Sequence, residues 1–199
     1  MSEGQISEAD LAKAALRSEL RAHRKMLAAS KPDAATRAAA HFSEVKAGLI
    51  SAAALYHPVG AEMDPKPLGR LLQARGIKLG WPVVTERNAP LVFREQDEHA
   101  PLVADAIGIL SPPTYAPAVR PDLVVTPLLA FDRKGGHLGQ GGGFYDRTIS
   151  ALRASGTVFI LGLAYAGQEL DRVVTGPFDH PLDGVLTETG WRPVDRDQA

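Results

Sequence analysis

Four glycines fall within five residues, Gly139, Gly141, Gly142 and Gly143, and Phe144, Tyr145, Asp146 and Arg147 follow at once. A backbone this free of side chains can turn several amides toward one point and cradle anionic oxygens. A helix beginning near Phe144 would aim its positive end at the same point. Asp146, an acid at that helix start, suits a Mg²⁺ bridging phosphates, because hard oxygen ligands suit hard cations. The plainer alternative is a flexible turn with Asp146 as an ordinary N-terminal acid. A strand before the loop and a helix after it favour phosphate. Neither standard phosphate loop is present: there is no Gly-x-x-x-x-Gly-Lys-Ser/Thr, and Phe144 stands where dinucleotide spacing needs its third glycine. A nicotinamide cofactor is not expected.

Cations suited to the same ligand lie near the N-terminus. Lys13, Arg17 and Arg21 recur every four residues, with Arg24 and Lys25 one turn on. Residues four apart share a helix face, so Lys13 and Arg17 can reach one polyphosphate; a solvated basic face is the alternative.

These groups must be positioned by the segments around them. Glu8 to Ala29 reads as a helix with Ser7 as N-cap, and Leu16, Leu20 and Leu27 form its apolar stripe, with Leu11 near the edge. Lys31-Pro32-Asp33 breaks it, and Ala34 to Gly48 reads as a second helix with Phe42, Val45 and Leu49 inward. Ala52 to Tyr56 is a short buried strand, Pro67 to Gly76 a helix, and Lys78 to Val84 and Pro90 to Arg94 further strands. Pro82 points to a sheet edge for the first of these. Asp122 to Pro127 and Thr157 to Leu163 are apolar strands flanking a helix from about Phe144 to Ala154, and Gly184 to Thr187 is a short last strand. Apolar strands alternating with amphipathic helices imply an α/β fold, a three-layer α/β/α arrangement around a mostly parallel sheet. Ligands of such sheets sit beyond the carboxyl ends of the strands, which singles out the loop after Pro127.

Composition narrows the classes further. The 199 residues carry 22 Lys+Arg against 23 Asp+Glu, so no global charge marks a nucleic-acid or membrane binder. The absence of cysteine excludes disulfides, thiolate catalysis and zinc ribbons. No apolar run approaches the roughly 20 residues of a membrane span, and the N-terminus lacks a signal-peptide layout. A cytoplasmic protein is expected.

Phe131-Asp132, followed by Gly-x-His-Leu-Gly-Gln-Gly-Gly-Gly-Phe-Tyr-Asp-Arg through Arg147, resembles the signature loop of the 5-formyltetrahydrofolate cyclo-ligase family. Lys13-Ala-Ala-Leu-Arg17 looks like that family's Lys-x-x-Leu-Arg. Tyr56 through Glu62 and Asp64 looks like its strand followed by an acid, and Pro181-Leu-Asp183-Gly-Val-Leu-Thr-Glu188 like its closing Leu-Asp-x-Val-x-Thr-Glu. His137 stands where the family usually has Arg, Ser111 where an acid is common, and Phe178-Asp179 where His-Asp is frequent.

The resemblance implies a Rossmann-like fold in one domain over 1–199, its N-terminal helices contributing to the nucleotide site. It implies ATP- and Mg²⁺-dependent cyclisation of 5-formyltetrahydrofolate to 5,10-methenyltetrahydrofolate. By the same carry-over, Lys13, Arg17, His137, Leu138, Gly139, Gln140, Gly141, Gly142, Gly143, Phe144 and Tyr145 bind ATP, with Arg17 and His137 stabilising phosphate. Asp146 and Asp183 hold Mg²⁺. Glu62 takes the pterin ring. Tyr56, His57 and Phe93 are candidates for lining the folate pocket, with the core an equal alternative for Tyr56 and Phe93 and a strand-end hydrogen bonder the alternative for His57. No side chain serves as nucleophile, no nucleic acid or membrane is a partner, and the protein is a monomer or weak dimer. The alternative is a relative that binds nucleotide or folate without this turnover.

Overall fold

The computed structural model describes residues 8–97, 99–176 and 179–195, with side chains from residue 14 onward. Ser7, Phe178 and the side chains of Leu11 and Lys13 therefore lie outside the described residues. Helix α1 (Glu8–Ser30) leads into α2 (Ala34–Ala40) and a 3-10 turn at His41–Glu44, then strand β1 (Ala52–Ala54) and helix α3 (Lys66–Ala74). Strands β2 (Lys78–Val83), β3 (Val92–Arg94), β4 (Val103–Ala104) and β5 (Leu110–Ser111) follow. The central strand β6 (Leu123–Pro127) precedes a small hairpin, β7 (Ala130–Phe131) and β8 (His137–Leu138). Helix α4 (Phe144–Ala154), β9 (Phe159–Leu163), β10 (Gly184–Thr187) and β11 (Gly190–Pro193) complete the described chain.

Seven strands form one sheet in the order β11-β10-β9-β6-β1-β2-β3. The five inner strands run parallel, and β3 and β11 are antiparallel edges. The apolar strands read as continuous runs because both faces are covered. Ala53, Leu123, Val125, Leu161 and Leu163 pack with Ala38, Phe42, Leu68 and Leu72 of the α2–α3 side. The alternate residues Ala52, Ala54, Val124 and Ile160 pack with Ile149 of α4 on the other side. Period two thus persists inside strands whose sequence shows no alternation. The result is the expected three-layer α/β/α arrangement.

Departures from the expected elements have local causes. The second helix ends in the 3-10 turn because Val45 is already extended, with ψ 122°; Leu49, expected inward, is 97% exposed. Leu16 is exposed too, because the basic stripe of α1 faces the protein beside Leu20. Pro82 lies in the half of β2 that pairs only with β3: β1 pairs with Lys78 to Gly80, and Pro82 stands opposite Phe93. Its missing N–H is tolerated there. Strand β11 was not expected after Thr187; Gly190 turns the chain back so that Trp191 pairs with Leu186.

Candidate active site

A cavity of about 650 Å³ opens at the carboxyl ends of the parallel strands. Its size is in the range of small-molecule and cofactor sites. The loop after β1 supplies Tyr56, His57 and Glu62, and β6 supplies Thr126 and Pro127. The whole run from His137 to Asp146 lines it, and α1 closes one side with Arg17, Arg21, Arg24 and Lys25. No described helix is long and apolar enough to cross a membrane.

The glycine loop is shaped by backbone that side chains would forbid. Gly141 has φ +95° with Arg17 lying against it, and Gly143 has φ +64° as the N-cap of α4. Its placement follows from the contacts of two arginines. Arg17 Nε donates to Gly139 O at 3.2 Å, and Arg147 Nη2 donates to Gly142 O at 3.0 Å. Arg147 also donates to Arg87 O and Ala89 O, so the loop is fastened to the segment before β3. The amides of the loop, the start of α4 and the cations of α1 make this end of the cavity suited to a polyphosphate.

Another part of the wall is built around a buried carboxylate. Glu62 accepts from Val59 N at 2.9 Å, from Gln140 Nε2 at 3.3 Å and pairs with Arg24 Nη1 at 3.4 Å. Tyr56 lies beneath it with its hydroxyl donated to Met63 O, and burial holds that phenol well above its ordinary pKa. His57 stacks on Trp81 at 4.9 Å, and burial lowers its pKa. Val84, Leu91, Ile107 and Ile109 add an apolar stretch suited to an aromatic ligand.

His137 also lines the cavity, 9% exposed. Burial lowers its pKa, against the pull of Asp146, Asp179 and Asp132 toward the charged form. The imidazole is therefore shifted toward neutrality. Asp146 and Asp179 both line the cavity.

A family profile described as the 5-formyltetrahydrofolate cyclo-ligase family matches residues 9–188. The chain belongs to this family. It is similar to the 5-formyltetrahydrofolate cyclo-ligase of Haemophilus influenzae, at 33% identity over 67% of this chain and 73% of that one. The Mycolicibacterium smegmatis protein of that name is also 33% identical, over 66% of this chain and 71% of its own. Among solved structures, the fold is similar to the 5,10-methenyltetrahydrofolate synthetase of Aquifex aeolicus, with TM-score 0.74, 24% identity and coverage of 94% and 95%. That of Mycoplasma pneumoniae aligns with TM-score 0.69 at 21% identity, covering 88% of this chain and 98% of the other.

Within this cyclo-ligase scaffold most of the expected site residues converge. Arg17, His137 through Asp146, Tyr56, His57 and Glu62 line one cavity. Two do not join them. Phe93 is 3% exposed in the core with Val84, Leu91 and Val119, because the antiparallel pairing of β3 with β2 turns it inward. Asp183 is bound at the amino end of β9, accepting from Ile160 N at 2.8 Å with Arg153 at 3.6 Å. That is the opposite end of the sheet from the cavity. Asp179, four residues earlier, is the carboxylate that reaches the cavity beside Asp146. The Phe178-Asp179 pair carried that signal in the sequence, as the place where the family often has His-Asp. Arg24 was legible only as one more cation on a basic helix face.

Proposed function

We propose that the protein catalyses the ATP- and Mg²⁺-dependent cyclisation of 5-formyltetrahydrofolate to 5,10-methenyltetrahydrofolate, releasing ADP and phosphate. The observation that carries this reading is one cavity lined both by a glycine loop suited to anions and by a buried, oriented carboxylate. The glycine loop with Arg17 and Arg21 holds the triphosphate. Glu62 accepts paired hydrogen bonds from the aminopyrimidine edge of the pterin, between the His57–Trp81 stack and the apolar wall.

The two substrates then meet near His137. The formyl oxygen is a poor leaving group, so the γ-phosphoryl passes to it, with ADP leaving. Folate N10 attacks the activated carbon and the five-membered ring closes, and phosphate departs with the former formyl oxygen while the N10 proton is released. Such transfers are catalysed by positioning and charge stabilisation, which is why the site offers amides and cations instead of a nucleophile. Tyr145, whose phenol burial keeps protonated, walls this region without supplying a base.

Asp146 and Asp179 suit Mg²⁺. No cluster of three or more metal-ligating side chains occurs among the described residues, and Mg²⁺ at phosphates needs only one or two carboxylates, with water and phosphate oxygens completing its shell. When bound, it would neutralise charge on the phosphates being transferred. We take the protein as cytoplasmic, a single domain acting as monomer or weak dimer.

The test is direct. Purified protein mixed with 5-formyltetrahydrofolate, ATP and Mg²⁺ should give an ATP-dependent rise in the near-ultraviolet absorbance of the methenyl product. No rise where both ligands are shown to bind would sink the reading.

A further inference from the structure

Arg24 is a cation buried to 4% exposure on the wall of the cavity. Burying a guanidinium is unfavourable unless its partners repay the lost hydration, and this one is incompletely served. Its Nη1 reaches Leu128 O at 3.0 Å and Glu62 Oε1 at 3.4 Å, while its Nε has no partner among the described residues. A helix kept only for stability gains little from such a side chain, so its value lies in what it does to Glu62.

The support behind the guanidinium is rigid. Leu128 follows the central strand directly and its carbonyl is also held by Gln168 Nε2 at 2.7 Å. Along α1, His23 Nε2 lies 2.9 Å from Gly167 O, and Leu27 packs against Gly167 so closely that a Cβ there would meet it at 2.8 Å. This half of α1 is docked, and Arg24 holds Glu62 instead of following it.

A carboxylate has about four acceptor sites, two on each oxygen. Arg24 and Gln140 use both sites of Glu62 Oε1, and Val59 N uses one of Oε2. A pterin edge donating two parallel hydrogen bonds needs one site on each oxygen. Gln140, a side chain on the glycine loop, is the contact that can withdraw; Arg24 and Val59, fixed to helix and backbone, remain one to each oxygen. The carboxylate is then clamped in plane with one open site per oxygen.

We propose that Arg24 is a positioning residue for folate: it fixes the plane of Glu62 so that both oxygens face the pterin edge. This rests on the reading of Glu62 as the pterin-binding carboxylate. It predicts that Arg24 matters to the folate half of the cavity and not to the nucleotide half.

Calorimetric binding of 5-formyltetrahydrofolate and of an unreactive ATP analogue, with steady-state kinetics, separates the possibilities. Arg24→Lys keeps the charge and is the variant expected to fold; Arg24→Met removes it. Expected for Arg24→Lys is a tenfold or greater rise in the folate Kd, with the analogue's Kd and the kcat within threefold. Arg24→Met should be weaker for folate than Arg24→Lys, so that lysine partly rescues. The double variant Arg24→Met/Glu62→Gln should bind folate no worse than Glu62→Gln alone. Arg24→Lys with a folate Kd within twofold of the parent overturns the proposal, as does an equal loss of both ligands, the pattern of a purely structural residue. In either case the parent's own binding and turnover leave the cyclo-ligase reading standing. A parent protein that binds no 5-formyltetrahydrofolate overturns both.

Discussion

Gln140 joins the two halves of the cavity: its Nε2 donates to Glu62 Oε1 at 3.3 Å while its Oε1 accepts from Arg21 Nε at 3.0 Å. The loop proposed to hold the triphosphate is therefore tied, through one side chain, to the carboxylate proposed to hold the pterin. If this contact stands where the substrate's own donor will sit, folate must displace it. Gln140→Ala is then expected to tighten 5-formyltetrahydrofolate binding by about twofold to fivefold, the equivalent of a net hydrogen bond of about 0.5–1 kcal/mol. Calorimetry without nucleotide checks it; weaker binding would show that Gln140 contacts folate instead of making way for it.

Asp146 and Asp179, which line the cavity and are assigned to Mg²⁺, should behave unlike Asp183, which does not line it. Asp146→Asn and Asp179→Asn are expected to lower kcat by about 10²–10³-fold, the scale of losing one charge-stabilising group in a site of this kind. Both should raise the Mg²⁺ concentration for half-maximal rate, with thermal midpoints close to the parent's. Asp183→Asn should keep kcat within about twofold and lower the midpoint by a few degrees, because Asp183 bonds Ile160 N and Arg153 at the far end of the sheet. A full loss of turnover in Asp183→Asn would return it to the metal site.

What the sequence shows of this molecule depends on whether the signal is local. The strand at Leu123–Pro127, the helix at Phe144–Ala154 and the glycine loop between them were legible because apolar runs and φ-permissive residues declare themselves within a few positions. Three-dimensional neighbours did not. Phe93 reads equally as a cavity or a core aromatic until its pairing opposite Pro82 turns it into the core. Asp132, inside the richest motif, serves the β7–β8 turn and its support, accepting from Lys134 N, Gly136 N and Val173 N. Arg24 is buried against Glu62 and Leu128, while Arg17 is half-buried and Arg21 exposed on the same helix, and spacing along α1 cannot distinguish burial from solvation. Choosing between Asp179 and Asp183 required knowing which end of the sheet each one occupies.

The N-cap of α4 offers a test of the loop's geometry. At φ +64°, Gly143 would, as alanine, adopt a left-handed backbone with its Cβ 2.6 Å from Arg147 Nη1. Arg147 would have to move, and with it the contacts to Gly142 O and Arg87 O. Gly143→Ala is expected to cost about 1–2 kcal/mol for the backbone alone. It should raise the KM for ATP by tenfold or more, with a much smaller change in the KM for folate. Unchanged ATP kinetics would show that the loop does not need this conformation when nucleotide binds.

Glu188, the last acid of the closing motif, gives a pH-dependent prediction. It is 1% exposed, with Lys31 Nζ at 2.5 Å on one oxygen and Ala166 N at 2.8 Å on the other. Burial alone would raise its pKa, but these hydrogen bonds and the Lys31 charge lower it overall. A carboxyl with a folded pKa below its unfolded value contributes stability that is full above the unfolded pKa, about 4.3, and is lost as pH falls through the folded one. Lys31 is 32% exposed, so solvent screening limits the pair to about 1–2 kcal/mol. Glu188→Gln should therefore lower the thermal midpoint at pH 7 by about 4 °C. The gap should narrow below about pH 4, where the parent loses its paired carboxylate while the amide is unaffected. Equal midpoints at pH 7, or a gap that widens in acid, would mean that Glu188 does not hold the Tyr165–Gln168 turn, and through it Leu128, by its charge.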